Sequence, residues 1–212
     1  MKWIGLVGLI GSGKSTAGKL FVDRGCRVID ADVLNRELQQ PGQELFGLIV
    51  DHFGKEILAE DGTIDRPALG NIVFNDKNKL AELTGLVASI TEEELVGRAL
   101  EYKDSDTVVF AEAAMILGKS YGLEGVILVD APEEASLDRL VNNRGMSEQD
   151  ARARLSSQIP RETRIRAADY VIDNSGDMAH LEAEVEKALE WIKSTPDADP
   201  RVVRSGEQAA GA

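Results

Sequence analysis

The sequence predicts a three-layer α/β protein built on a parallel, five-stranded sheet. Two observations carry this. Five short runs are almost continuously apolar, and the stretches between them repeat their apolar residues at helical spacing. A strand covered by helices on both faces has no solvent side, so it reads as an unbroken apolar run rather than an alternation. Strands interleaved with helices give a layered α/β sandwich.

The runs are Trp3 to Val7, Arg27 to Asp30, Thr107 to Ala111, Gly125 to Val129 and Tyr170 to Ile172. The first helix is expected from Ser15 to Val22. A second apolar stripe follows Leu80, Leu83, Val87, Ile90 and Leu95, and a third Leu137, Leu140 and Val141. Ser147 with Asp150 three residues on has the form of an N-cap with an acidic first turn. Leu181, Val185, Leu189 and Ile192 give a face of period 3.6. No convincing strand lies between Leu34 and Asp106, so a helical insertion is expected over about 34–106. The expectation is one domain over 1–193, followed by a disordered tail over 194–212, where Pro, Asp, Ser, Gly and Ala dominate.

The chain of 212 residues is long enough for one substantial core. Its formal net charge of −13 argues against nucleic acid or an anionic membrane as a partner. The one cysteine, Cys26, cannot form an intrachain disulfide, and His52 and His180 have no metal-ligand spacing. No segment reaches the roughly 18 uninterrupted apolar residues of a membrane span. The expected location is the cytoplasm. No residue pattern fixes an oligomeric state, although an apolar helix face in the insertion would be able to bury itself against a second copy.

Gly8-Leu9-Ile10-Gly11-Ser12-Gly13-Lys14-Ser15 fits G-x-x-x-x-G-K-[ST], between a predicted strand and a predicted helix. In such a P-loop the glycines let successive N–H groups point at phosphate oxygens, and the helix N-terminus adds its positive end. Lys14 is expected on the β- and γ-phosphates and Ser15 on Mg²⁺. The fold expectation thus becomes a P-loop NTPase fold with ATP and Mg²⁺ as cofactors. Asn-Lys-x-Asp, the second signature of GTPases, is absent, so a compact kinase is the better expectation.

Ligands of open parallel sheets sit beyond the carboxyl ends of the strands. Asp30-Ala31-Asp32 ends the second strand. Asp32 is the candidate to orient an acceptor hydroxyl and take its proton. Asp30 is either functional or the cap of the next helix. Val108-Val109-Phe110-Ala111-Glu112 resembles a Walker B strand; Glu112 is either a Mg²⁺ ligand, usually through water, or a solvated strand-end acid. Seven arginines lie from Arg139 to Arg166. Arginine forks can clamp phosphates from a lid that excludes water, and a lid is expected over about 144–166. Arg139 and Arg144, flanking its hinge, are the functional candidates.

Together these residues resemble the dephospho-CoA kinase family, from about Ile4 to Leu189. The matching stretches are Gly11-Ser12-Gly13-Lys14-Ser15-Thr16 and Val28-Ile29-Asp30-Ala31-Asp32, then Phe53-Gly54, Asp61-Gly62 and Asp65-Arg66. Arg144 with Ser147, Ala151, Arg154 and Gln158 follows, then Ala168-Asp169 and Ile172-Asp173-Asn174-Ser175-Gly176. The resemblance implies transfer of the ATP γ-phosphate to the ribose 3′-hydroxyl of dephospho-CoA. It places Asp32 on the proposed catalytic base, 144–166 on the lid, and Thr16 and Asn174 among the nucleotide-binding residues. The chain departs from the family at Val7-Gly8-Leu9 (usually Thr-Gly-Gly), at Ala88-Ser89 (usually His-Pro) and at Glu112-Ala113-Ala114 (the Pro-Leu-Leu stretch). Three functions stay open on sequence: a dephospho-CoA kinase, a kinase of the same fold acting on another small-molecule hydroxyl, and a nucleotide-binding regulator without catalysis.

Overall fold

The structure is a computed structural model and describes residues 1–113 and 122–196. Ala114 and the tail from 197 onward lie outside the described residues. The chain forms two compact units: residues 1–29 with 98–212, and residues 30–97.

The first unit holds the sheet, in the order β2-β3-β1-β4-β5: β1 (Lys2–Gly8), β2 (Arg27–Asp30), β3 (Val108–Ala113), β4 (Gly125–Asp130) and β5 (Tyr170–Asp173). β1 pairs in parallel with β3 and β4, and β4 in parallel with β5. All six residues of β4 are buried, as are the last six of β1, which is why both read as unbroken apolar runs.

On one face, Ile4, Leu6, Phe110, Ile127, Val129 and Ile172 form a single core with α1 (Lys14–Asp23) and α9 (Met178–Ser194). Phe21 of α1 stacks on Phe110 of β3, ring centroids 4.4 Å apart. α9 buries Leu181, Val185, Ala188 and Ile192 in the same core, the face its 3.6-residue period forecast. Asp177 caps it, accepting from the His180 amide.

A smaller apolar cluster joins Leu137 and Leu140 to Ala151 and Leu155. Its residues come from α6 (Glu133–Asp138), a π-helical turn (Arg139–Asn143) and α7 (Glu148–Ser156). Ser147 caps α7, accepting from the Asp150 amide at 3.1 Å, while its hydroxyl donates to the Asp150 carboxylate at 2.7 Å. α8 (Arg161–Ala167) follows.

The second unit is helical. α2 (Ala31–Leu38), α3 (Glu44–Phe53), α4 (Arg66–Phe74) and most of α5 (Lys77–Leu100) surround buried Leu34, Leu45, Ile49, Ile57 and Val73. The Asp30 side chain caps α2, accepting from the Asp32 and Val33 amides at 2.8 and 3.0 Å. His52 Nε2 lies 2.9 Å from Glu82 and ties α3 to α5. Among the described residues no helix is long and apolar enough to cross a membrane.

Phe21 is fully buried against Phe110, and its truncation removes apolar burial and leaves a cavity. Phe21→Ala is expected to cost about 3–5 kcal/mol. Urea unfolding checks this; a loss below about 1 kcal/mol would place Phe21 outside the core.

Candidate active site

The loop between β1 and α1 leaves the sheet at its carboxyl edge. Gly11 and Gly13 take φ of 79° and 93°, a left-handed region closed to most side chains. A Cβ on Gly8 would lie 2.5 Å from Ser12 Oγ and 2.9 Å from the Val129 carbonyl. A Cβ on Gly11 would lie 2.7 Å from the Ser136 carbonyl. Leu9 and Ile10 pack against the Leu137–Leu155 cluster. Leu9, at one of the departures from the family pattern, is therefore a packing residue.

The loop's carbonyls are held from outside. Asn174, only 5% exposed, donates from Nδ2 to the Ser12 carbonyl at 2.7 Å. Arg139 donates from Nη1 to the carbonyls of Gly11 and Ser12, both at 3.3 Å, and from Nη2 to the Asn174 carbonyl at 2.9 Å. The Asn174 amide is itself anchored on the Asp130 carbonyl at 2.7 Å. The Ser12 N–H is bonded to the Leu9 carbonyl at 3.1 Å; with the Gly11 and Ser12 carbonyls engaged by Arg139 and Asn174, the N–H groups of Gly13 to Ser15 are left for an anion.

Glu112 stands beside this loop. It is 6% exposed, near the end of β3. The Ser15 hydroxyl donates to its Oε1 at 3.3 Å, and Lys14 Nζ lies 3.6 Å from the same oxygen. A Cβ on Gly18 of α1 would come within 3.0 Å of Oε2. Glu112 is thus a buried carboxylate with a cationic neighbour, which distinguishes it from a solvated strand-end acid. Ser15 and Glu112 together present the hard oxygen donors that Mg²⁺ prefers.

Asp130 ends β4, and sequence reasoning passed over it. Its carboxylate is 4% exposed. Arg161 of α8 grips Oδ2 with Nε at 2.8 Å and Nη2 at 2.6 Å. The hydrogen bond to Asp130 holds the Arg161 guanidinium above its ordinary pKa, and burial pulls the neighbouring Arg164 below its own. Asp130 Oδ1 and Arg164 Nη1 are buried without a hydrogen-bond partner. The available signal was the one that marked Glu112, an acid closing an apolar strand.

The structure therefore brings Gly8, Gly11, Ser12, Gly13, Lys14, Ser15, Arg139, Asn174 and Glu112 together, with Thr16 in the first turn of α1. Arg144 follows the π-helical turn, exposed and with no partner among the described residues. Asp32 lies in the first turn of α2 in the helical unit, its carboxylate exposed and without a hydrogen-bond partner among the described residues.

A glycine-rich loop with its carbonyls held outside, a lysine and a serine on one buried acid, and a parallel sheet in the order 2-3-1-4-5 describe a phosphate-binding site of the kinase type. Comparison with known proteins decides which. The profile of the dephospho-CoA kinase family matches residues 2–180. The chain belongs to the dephospho-CoA kinase family. A dephospho-CoA kinase of Streptomyces avermitilis is 44% identical over 190 residues, covering 86% of this chain and 89% of that one. The crystal structure of a Thermus thermophilus protein superposes with a TM-score of 0.72 at 29% identity, over 90% of this chain and 97% of that one. A dephospho-CoA kinase from Campylobacter jejuni gives 0.66 at 27%, over 91% and 98%.

Gly13 tests the loop geometry. A Cβ there would strain a left-handed residue and collide with the Asn174 amide. Gly13→Ala is expected to weaken ATP binding at least about tenfold while the circular dichroism spectrum is retained. Unchanged ATP affinity would refute the cradle.

Proposed function

We propose that this chain transfers the γ-phosphate of ATP to the ribose 3′-hydroxyl of dephospho-CoA, the last step of coenzyme A biosynthesis. The observation that carries the reading is the convergence of Lys14 and Ser15 on Glu112 beneath a braced phosphate loop, in a chain of this family.

In this reading the N–H groups of Gly13 to Ser15 and the Lys14 ammonium hold the β- and γ-phosphates. Ser15, and Glu112 through water, would hold Mg²⁺, which supplies neutralisation of phosphate charge when bound. Asp32 orients the acceptor hydroxyl and takes its proton as the oxygen attacks the γ-phosphorus; the bond to the bridging oxygen breaks and ADP leaves. Arg139 acts on the nucleotide through the loop that it braces. Arg144, exposed and without a partner among the described residues, is free to reach a transferring phosphoryl group. Residues 144–166 serve as the lid and residues 30–97 as the acceptor-binding part.

A coupled ADP-release assay with MgATP and dephospho-CoA, beside an acceptor-free control, tests the reading. Acceptor-dependent turnover above roughly 1 per second is expected; ATP binding without such turnover would contradict it. Lys14→Ala is expected to abolish transfer in a folded protein, and near-normal turnover would overturn the role of the loop. Asp32→Asn is expected to lower kcat by at least about a hundredfold with the KM for ATP little changed. Weakened ATP binding with normal kcat would move Asp32 to nucleotide binding.

A further inference from the structure

The reaction proposed above uses the acid near the end of β3 and leaves another buried acid idle. Asp130 closes β4 and is 4% exposed, yet Lys14 and Ser15 turn to Glu112 instead. Three observations bear on what Asp130 does.

The first is where it stands. The residue before it, Val129, abuts the phosphate loop: a Cβ on Gly8 would lie 2.9 Å from the Val129 carbonyl. The Asp130 carbonyl accepts from the Asn174 amide at 2.7 Å, and the Asn174 side chain donates to the Ser12 carbonyl at 2.7 Å. Two hydrogen bonds therefore tie the Asp130 backbone to the loop. Its carboxylate starts from a point fixed relative to the phosphates.

The second is what it grips. Asp130 Oδ2 accepts from Arg161 Nε at 2.8 Å and from Nη2 at 2.6 Å. A guanidinium carries its N–H donors in one rigid plane. The grip uses the edge formed by Nε and Nη2, and Nη1 has no hydrogen-bond partner among the described residues. The Arg161 side chain is 58% exposed. A buried acid thus holds an exposed cation by one edge and leaves another edge open. The hydrogen bond and charge of Asp130, with the charge of Asp173 beyond them, hold this guanidinium above its ordinary pKa.

The third is that the pair does little for the fold. Desolvation of a buried carboxylate offsets much of its attraction to an arginine, so such a pair adds little net stability. Here Asp130 Oδ1 is also buried without a hydrogen-bond partner. The neighbouring Arg164 does not supply one. Its Nε donates to the Ile159 carbonyl at 3.0 Å, and its Nη1 is itself buried without a partner. A packed apolar residue would serve stability as well. What the carboxylate adds is direction, at the carboxyl edge of the sheet, where an open parallel sheet binds its ligand.

We infer that Asp130 is a positioning residue for ATP: without touching the nucleotide, it holds Arg161 so that the open edge of the guanidinium meets the terminal phosphate. The inference rests on the reading of the loop as an ATP site and is independent of which hydroxyl accepts the phosphate. Arginine suits the role because Nη1 is able to donate to a phosphate oxygen while Nε and Nη2 stay on the acid. Lysine has one nitrogen and no second edge.

Titration calorimetry on the full-length protein tests this, with MgADP and with the magnesium complex of the non-hydrolysable β,γ-imido analogue of ATP. Asp130→Asn, Arg161→Lys and the double variant are each expected to bind the analogue at least about tenfold more weakly. Their MgADP affinity should stay within about threefold of wild type, because ADP lacks the phosphate that Arg161 meets. The double variant should match Arg161→Lys within about threefold, because Asp130 acts through Arg161. A merely structural role would weaken both nucleotides together. MgADP binding also reports that each variant folds, and Arg161→Lys, at an exposed position, carries the test where Asp130→Asn does not fold. Equal losses for the two nucleotides, wild-type affinity for the analogue, or losses that multiply in the double variant would overturn the inference. A wild type that binds neither nucleotide removes the loop reading and the inference with it. A wild type that binds both, beside variants that do the same, removes the inference alone.

Discussion

Asn174 and Arg139 hold the outer side of the phosphate loop, and the rest of the site depends on that contact. Asn174 reaches the Ser12 carbonyl at 2.7 Å, and Arg139 spans the Gly11 and Ser12 carbonyls while gripping the Asn174 carbonyl. A buried carbonyl without a partner costs about 1–3 kcal/mol. The loop therefore gains by turning the Gly11 and Ser12 carbonyls to these two side chains. The residues that do this come from the π-helical turn and the segment after β5, far from the loop in sequence.

This arrangement explains why the fold is built as it is. β1 must lie centrally for its carboxyl end to deliver the loop between β3 and β4. β3 then brings Glu112 under Lys14 and Ser15. β4 brings Asp130, whose carbonyl anchors the Asn174 amide and whose carboxylate fixes Arg161 at the start of α8. β1, β3, β4 and the segment after β5 thus contribute at the carboxyl edge of the sheet the loop, the acid beside it or a group that braces it. Leu9 packs against the Leu137–Leu155 cluster.

Much of this was legible in sequence because it is local. β1, β3 and β4 stood out as apolar runs because burial on both faces removes alternation, while β2 and β5, at the edges of the sheet, are only partly buried. The loop motif and the Ser147 cap depend on residues a few positions apart, so spacing alone reveals them. The grip of Arg161 on Asp130 joins residues 31 apart and leaves no periodic trace. Arg139 was singled out as a hinge arginine; its bonds to loop carbonyls belong to tertiary structure. Asp30 was ambiguous because the residue that ends a strand and the residue that caps a helix can be one and the same, as here.

The measurement that tests the central claim most directly is the ATP affinity of Asn174→Ala, Arg139→Ala and the double variant. The account predicts that each single change weakens ATP binding by about tenfold or more. The double change should weaken it by less than the product, because both side chains brace the Ser12 carbonyl. A folded double variant that binds ATP as tightly as the wild type would contradict the account, since the loop would then hold its phosphate-binding shape unaided.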